Sequence, residues 1–154
     1  MVTESKLKDL PAEVPSTHFQ RWDQPVAEPD SEPPPLIDPS VLEMLRADLD
    51  DDGVWKAFVR NFIEHLPRRH ERLRLALTTG DLEGALDAIL SLKTSSQMVG
   101  AERLAGLALN LELSIRADTK EAVPAVALPR LAAAHLGQIM QCSQWTTHCL
   151  RRLP

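Results

Sequence analysis

AILSLKTSSQMVGAERL, residues 88–104, indicates the end of one helix, a tight turn at Gly100 and the start of a second helix. The mostly apolar face of the first helix carries Leu82, Ala85, Leu86, Ile89, Leu92 and Ser96. Its mostly polar face carries Glu83, Asp87, Leu90, Lys93, Thr94 and Gln97. Leu90 is therefore an apolar side chain where the helical period predicts solvent. Periodicity alone favours an ordinary surface leucine, which is common in soluble proteins.

Two helices are predicted before this segment. Asp38 has the position of an N-cap before a proline, and it predicts a short helix that ends near residue 48. The apolar residues of 54–79 are spaced as in a long helix that is interrupted or kinked near Pro67. A glycine and an aspartate at 80–81 then supply a helix stop and a new N-cap. The helix that carries Leu90 should run from there to about residue 98.

Residues 101–117 fit two patterns. Leucines and one isoleucine alternate as in a half-buried strand, at positions 107, 109, 111, 113 and 115. Five residues also satisfy a helical period: Leu104, Leu107, Ala108, Leu111 and Ile115. Few residues here are β-branched and no partner strand is evident, so we predict a helix with Leu109 and Leu113 as an extra stripe beside its core face.

A loop around residues 118–126 is predicted to precede the last long helix, with Pro129 near its first turn. One stripe of that helix carries Leu131, His135, Ile139, Cys142, Thr146 and Cys149. The whole pattern predicts an all-α fold, an antiparallel four-helix bundle with a short N-terminal cover helix. The bundle domain should span residues 36–154.

Residues 1–35 differ from the rest in composition. They hold seven of the twelve prolines, with three basic and seven acidic side chains, and they predict a disordered acidic tail. Within it, the aromatic cluster HFQRW at 18–22 is a candidate for docking on the domain or on a partner. The net charge of −5 argues against a nucleic-acid partner.

No metal or cofactor is expected. The acidic run at 50–53 lacks the later ligands of a calcium loop, and His65 and His70 do not have the i, i+4 spacing at which two histidines share a metal. Cys142 and Cys149 would lie ~10 Å apart on one helix, too far for a disulfide. With no signal-peptide or membrane-spanning segment evident, we expect a soluble, cytoplasmic protein that does not bind membranes.

These residues resemble the histidine-containing phosphotransfer (HPt) domain of two-component phosphorelays over about residues 36–152. The resemblance includes Ile37-Asp38-Pro39, the helix with Phe58, Phe62 and Leu66-Pro67-Arg68-Arg69, and the turn Gly80-Asp81-Leu82. Its most specific part is the family pattern Ala-His-x-Leu-Lys-Gly, followed by Gly-Ala and a further leucine. Matching in type and spacing are Leu92, Lys93, Gly100, Ala101 and Leu104.

The departures from the family pattern that matter for its chemistry are at two positions. Leu90 stands where the family has its phosphoacceptor histidine, and Thr94 stands where it has a small glycine. The resemblance implies that Lys93 would offset phosphate charge. Leucine has no nucleophile or titratable proton, so the sequence predicts no catalytic residue and no phosphotransfer at this position.

Three functions are compatible with this pattern. The first is a degenerate HPt domain that docks a response-regulator or hybrid-kinase receiver domain through Leu90, Lys93, Thr94 and Gln97 without accepting phosphate. The second is an oligomerisation or scaffold module with an exposed patch of Leu90, Leu109 and Leu113. The third is phosphotransfer through a displaced histidine. His65, His70, His135 and His148 are predicted on other helices, and nothing in the sequence places them near Lys93. The sequence leaves the oligomeric state open.

Overall fold

A computed structural model describes residues 34–49 and 52–153 of the chain. This part forms five α-helices: α1 (Pro39–Leu49), α2 (Asp52–Thr78), α3 (Leu82–Met98), α4 (Glu102–Asp118) and α5 (Pro124–Arg151). No strand occurs in these two ranges, so the all-α prediction and the helical interpretation of 101–117 are confirmed. The proposed tail, with its aromatic cluster at 18–22, lies outside the described residues except for Pro34 and Pro35.

The four long helices pack as a bundle. Each of α2, α3 and α4 contacts the next helix in the chain, α5 returns to contact α2, and α1 lies against α2. The short connections 79–81, 99–101 and 119–123 make consecutive helices antiparallel. Large side chains from all four helices are fully buried between them, among them Leu73, Leu77, Ile89, Leu92, Leu104, Leu111, Ile115, Leu128 and Ile139.

Two prolines lie inside helices. α2 continues through Pro67 without interruption, because buried Leu66, His70 and Leu73 keep both sides of the proline packed on the bundle. α5 begins at Pro124, so Pro129 lies inside the helix rather than near its first turn, and the loop is shorter than predicted. Burial of Ala127 and Leu128 stabilises this earlier start.

The predicted leucine patch is wrong in one member. Leu109 is only 4% exposed, whereas Leu113 is 39% exposed. α4 lies between α3 and α5, so its core face is wider than a single helical stripe. Leu109 therefore belongs to the core and is unavailable to a partner.

The turns set the register of α3. The side chain of Asp81, the N-cap, accepts a hydrogen bond from the Gly84 backbone N–H at 3.0 Å. At the other end, Gly100 has a φ of +76° and its carbonyl accepts a 2.7 Å bond from the Asp38 backbone N–H, which ties the start of α1 to the α3–α4 turn. No described helix is long and apolar enough to cross a membrane.

Candidate functional site

Leu90 lies on the outer face of α3. Its side chain is 37% exposed, while its neighbours Ile89 and Leu92 are fully buried. The buried positions fix the rotation of the helix about its axis, and this rotation turns Leu90 outward. The exposed leucine on a polar face that the sequence pattern predicts is therefore present in the fold.

Lys93 is held by α4. Its Nζ donates a 2.8 Å hydrogen bond to Oε1 of Glu112, and the two side chains are 17% and 10% exposed. Arg116 Nη2 donates to the other carboxylate oxygen at 3.1 Å. Burial alone would raise the pKa of Glu112, but the bonds from both cations outweigh it and leave this pKa below its ordinary value. The largely buried carboxylate of Glu112 carries one negative charge, whereas Lys93 and Arg116 carry one positive charge each. The cluster therefore keeps a net positive charge.

The other two predicted site residues lie on the same helix. Thr94 is exposed and Gln97 is half-buried. On α4, Leu113 follows the Glu112 that Lys93 contacts, and it is a second exposed leucine. We call the surface formed by Leu90, Lys93, Thr94, Gln97 and Leu113 the Leu90 surface.

The α2 side of the Leu90 surface carries positive charge. Arg69 Nε donates a 3.4 Å bond to Ser91 Oγ, and its Nη1 is buried with no partner among the described residues. Burial, with a smaller contribution from Arg72, lowers the pKa of Arg69. Arg72 pairs with Asp87 of α3 at 3.3 Å.

Sequence reasoning did not assign Arg69, Glu112 or Arg116 to this site. The four-residue spacing of Glu112 and Arg116 was a usable signal, because such pairs meet on one helix face. No signal in the sequence indicated the Lys93–Glu112 pair, because the two residues lie 19 positions apart on different helices.

Serines near Leu90 are not activated. Ser91 accepts from Arg69, and Ser95 donates to the backbone carbonyls of Ser91 and Leu92. Ser96 is fully buried, and its hydroxyl has no partner in the described part of the chain. None of these hydroxyls bonds to a described histidine or carboxylate that would act as a base.

Among the described histidines, His65 is the one best placed to act as a nucleophile. It is exposed on α2, and its Nδ1 donates a 2.8 Å bond to the Asn61 carbonyl. A carbonyl oxygen can only accept, so in the neutral ring the proton is on Nδ1 and Nε2 keeps its lone pair. His65 shares a groove of about 250 Å³ with Arg69, Ser95 and Met98.

Besides His65, the described part of the chain holds three histidines, on α2 and α5. His70 is buried, and burial lowers its pKa. His135 is half-buried and its pKa is also lowered by burial, against an opposing effect of Asp118. His148 is exposed on α5. Because α5 packs on α2 and α4, His135 and His148 lie away from α3.

Metal ligands do not cluster in the described ranges. No group of three histidine, cysteine, aspartate or glutamate side chains there is placed to hold an ion. Cys142 is buried and Cys149 half-buried, and both are free thiols, as predicted.

The family model for the Hpt domain matches residues 57–141, which is more than half of the chain and spans α2 to α5. Searches of curated proteins and of solved structures found no match.

Proposed function

This chain belongs to the Hpt domain family, and on this premise we propose that it docks a receiver domain through the Leu90 surface without accepting phosphate. Domains of this family take part in phosphorelay signalling and interact with the receiver domains of response regulators. We propose that this member of the family makes such a contact but transfers no phosphate in it. It makes the chain a binding protein rather than an enzyme.

The exposed side chain of Leu90 carries the proposal. In the family pattern this position holds the histidine whose ring nitrogen attacks an aspartyl phosphate. Leucine offers neither a lone pair nor a proton, so no N–P bond can form here. An apolar side chain that is 37% exposed at the centre of the family's docking face is suited to burial against a partner.

The residues around Leu90 fit a protein contact. Leu90 and Leu113 supply apolar area, and the rim is polar, with Thr94 and Gln97. Thr94 is bulkier than the glycine of the family pattern and keeps a partner farther from the helix. We therefore expect Thr94→Gly to tighten docking.

The test is a titration of the full chain against receiver domains, unmodified and activated with beryllofluoride. We expect at least one receiver to bind, and Leu90→Glu to weaken that binding at least about tenfold, as for a buried central residue of an interface. Met140→Glu is the matched control, since Met140 is 44% exposed on α5, the helix that does not pack on α3.

Met140→Glu should change the affinity by no more than about twofold, as expected of a residue outside the contact. If no receiver binds in either state, or if the two variants lose binding equally, the proposal is wrong.

A second candidate function, phosphotransfer through a displaced histidine, is favoured by the geometry of His65. Its Nε2 lone pair is free, and Arg69 lies in the same groove. In this reaction an N–P bond forms at Nε2, the acyl phosphate P–O bond breaks, and the receiver carboxylate leaves. Incubation with a phosphorylated receiver would put acid-labile phosphate on the chain, lost in His65→Asn and retained in His148→Asn. The main proposal expects no such phosphate.

A further inference from the structure

Grooves lie on two sides of α5. The larger groove, of about 620 Å³, lies between α2 and α5 and includes His70. The smaller groove, of about 300 Å³, lies between α4 and α5. Its lining includes Pro34, the first residue that the structure describes. Residues 1–33 are therefore attached to the bundle at the α4–α5 groove.

α4 holds the chain at this groove through Arg103. The Arg103 backbone N–H donates a 3.1 Å hydrogen bond to the Pro35 carbonyl, and its side-chain Nε donates a 2.9 Å bond to the Pro34 carbonyl. Ala101, the N-cap of α4, makes no side-chain capping bond, so the Pro35 carbonyl satisfies one of the N–H groups that the start of a helix leaves open. These bonds fix the face of the bundle on which the preceding segment begins.

The α4–α5 groove extends past Pro34 along α4. Arg103, Leu107 and Asn110 line it on successive turns, over about 10 Å of the helix axis. From α5 the lining comprises Gln138, Gln141, Cys142 and Trp145. Trp145 is 50% exposed and Leu107 is half-buried, so the groove presents apolar surface between amide side chains.

The chain itself carries the complementary apolar group. An aromatic ring such as Trp145 packs well against another aromatic ring. Residues 18–22, the aromatic cluster HFQRW, include Phe19 and Trp22, whereas residues 23–33 hold four carboxylates, no basic side chain and no aromatic one. Of the residues that precede Pro34, those of the aromatic cluster therefore match the exposed surface of Trp145.

The connection between the cluster and the groove is long enough. Trp22 precedes Pro34 by twelve positions, which can span up to about 40 Å of extended chain. The far end of the groove is only about 10 Å from Arg103 along the axis. Attachment over so short a connection gives the cluster an effective concentration in about the millimolar range, so even a weak contact is populated.

We propose that residues 18–22 dock in the α4–α5 groove of the same chain, with an aromatic ring of the cluster on Trp145 and Leu107. This contact is independent of receiver docking. Glu112, beside the Leu90 surface, follows Arg103 by nine residues, which places it about half a turn away around α4.

The test is limited trypsin digestion of the full chain. Trypsin cuts after Arg21 only when the cluster is detached, whereas the cut after Lys6 lies outside the contact and serves as the internal reference. We expect Trp145→Ala to raise the ratio of the Arg21 rate to the Lys6 rate at least about tenfold, because a docked segment is cut in proportion to its detached fraction. Met140→Ala is the matched control, since Met140 is 44% exposed on α5 but lines the α2–α5 groove, and it should leave the ratio unchanged.

A second measurement leaves the bundle intact. In the chain labelled with fluorotryptophan, Phe19→Ala should shift the fluorine NMR signal of Trp145, because it removes a ring from the cluster. Val26→Ala changes an apolar residue of the same segment outside the cluster and should not shift this signal.

The proposal is wrong if Trp145→Ala leaves the ratio of rates unchanged, if Met140→Ala raises it equally, or if Phe19→Ala does not move the Trp145 signal. Protection of Arg21 that is lost on dilution would assign the groove to the cluster of a second copy and would also overturn the proposal. None of these results changes the outcome of the receiver titration.

Discussion

At the scale of single residues, Glu112 organises one side of the Leu90 surface. Its carboxylate is 10% exposed and accepts hydrogen bonds from Lys93 and Arg116. Without Glu112, two cations would meet beside Leu90 and the ammonium of Lys93 would be partly buried without a counter-charge. Glu112 therefore sets both the local charge and the local stability of this surface.

Replacing Glu112 by Gln should lower the free energy of unfolding at neutral pH by about 2 kcal/mol, because charged hydrogen bonds to a largely buried group are lost. The folded-state pKa of Glu112 lies below its ordinary value of 4.5. Its stabilisation is therefore present above that value and is lost as the pH falls through the folded-state pKa. Denaturant unfolding over a pH series should show a smaller acid loss in the variant than in the natural chain.

Glu83→Gln is the control for this measurement, because Glu83 is an exposed carboxylate of α3. It should leave stability nearly unchanged. An equal acid loss in the natural chain and in Glu112→Gln would contradict the assignment of this stability to Glu112.

At the scale of elements, the α3–α4 turn places α3, α4 and α1 relative to one another. Gly100 has positive φ, and a Cβ built there would lie 2.9 Å from the Asp38 carbonyl oxygen and 3.1 Å from the Val41 Cβ. Glycine is therefore required twice, for the backbone conformation and for the close approach of α1. These two requirements explain why glycine occupies this position of the family pattern in this fold.

Gly100→Ala should destabilise the domain by about 2 kcal/mol, since strain and a backbone clash act together. Gly137→Ala offers an opposite control in α5, where an added Cβ meets nothing within 4 Å. That change should stabilise by about 0.5–1 kcal/mol through helix propensity. Thermal unfolding of both variants measures the two effects, and a neutral Gly100→Ala would show that α1 is not held at this turn.

At the scale of the whole molecule, the Leu90 surface and the groove between α2 and α5 are formed by different pairs of helices. Leu90 and Leu113 lie on α3 and α4, while the groove that contains His70 lies between α2 and α5. The oligomerisation alternative requires the Leu90 surface to contact a second copy instead.

Light scattering after size exclusion distinguishes these uses of Leu90. We expect Leu90→Glu and Leu113→Glu to leave the molar mass of the chain unchanged, because two half-exposed leucines without Leu109 form a small apolar patch. Trp145→Glu, on exposed α5 surface, is the comparison. A loss of mass in the Leu90 and Leu113 variants alone would support self-association over receiver docking.

Helix order and the exposure of Leu90 were predictable from the sequence, because they depend on residues close together in the chain. Caps, turns and a 3.6-residue period are local, so α1, α3 and α4 begin and end within a few residues of their predicted bounds. Pro129 misled the prediction, since packing of Ala127 and Leu128 on the bundle outweighs the local cost of a proline inside a helix.

The sequence by itself therefore determined an all-α bundle and singled out Leu90 as the departure from the family pattern. Only the tertiary structure decided that Lys93 pairs with Glu112, that Leu109 is buried, and that His70 lies without a partner beside a groove. Each of these depends on which helix packs against which, and at what rotation and height. Packing brings residues that are far apart in the chain into contact, and local sequence patterns do not predict these long-range contacts.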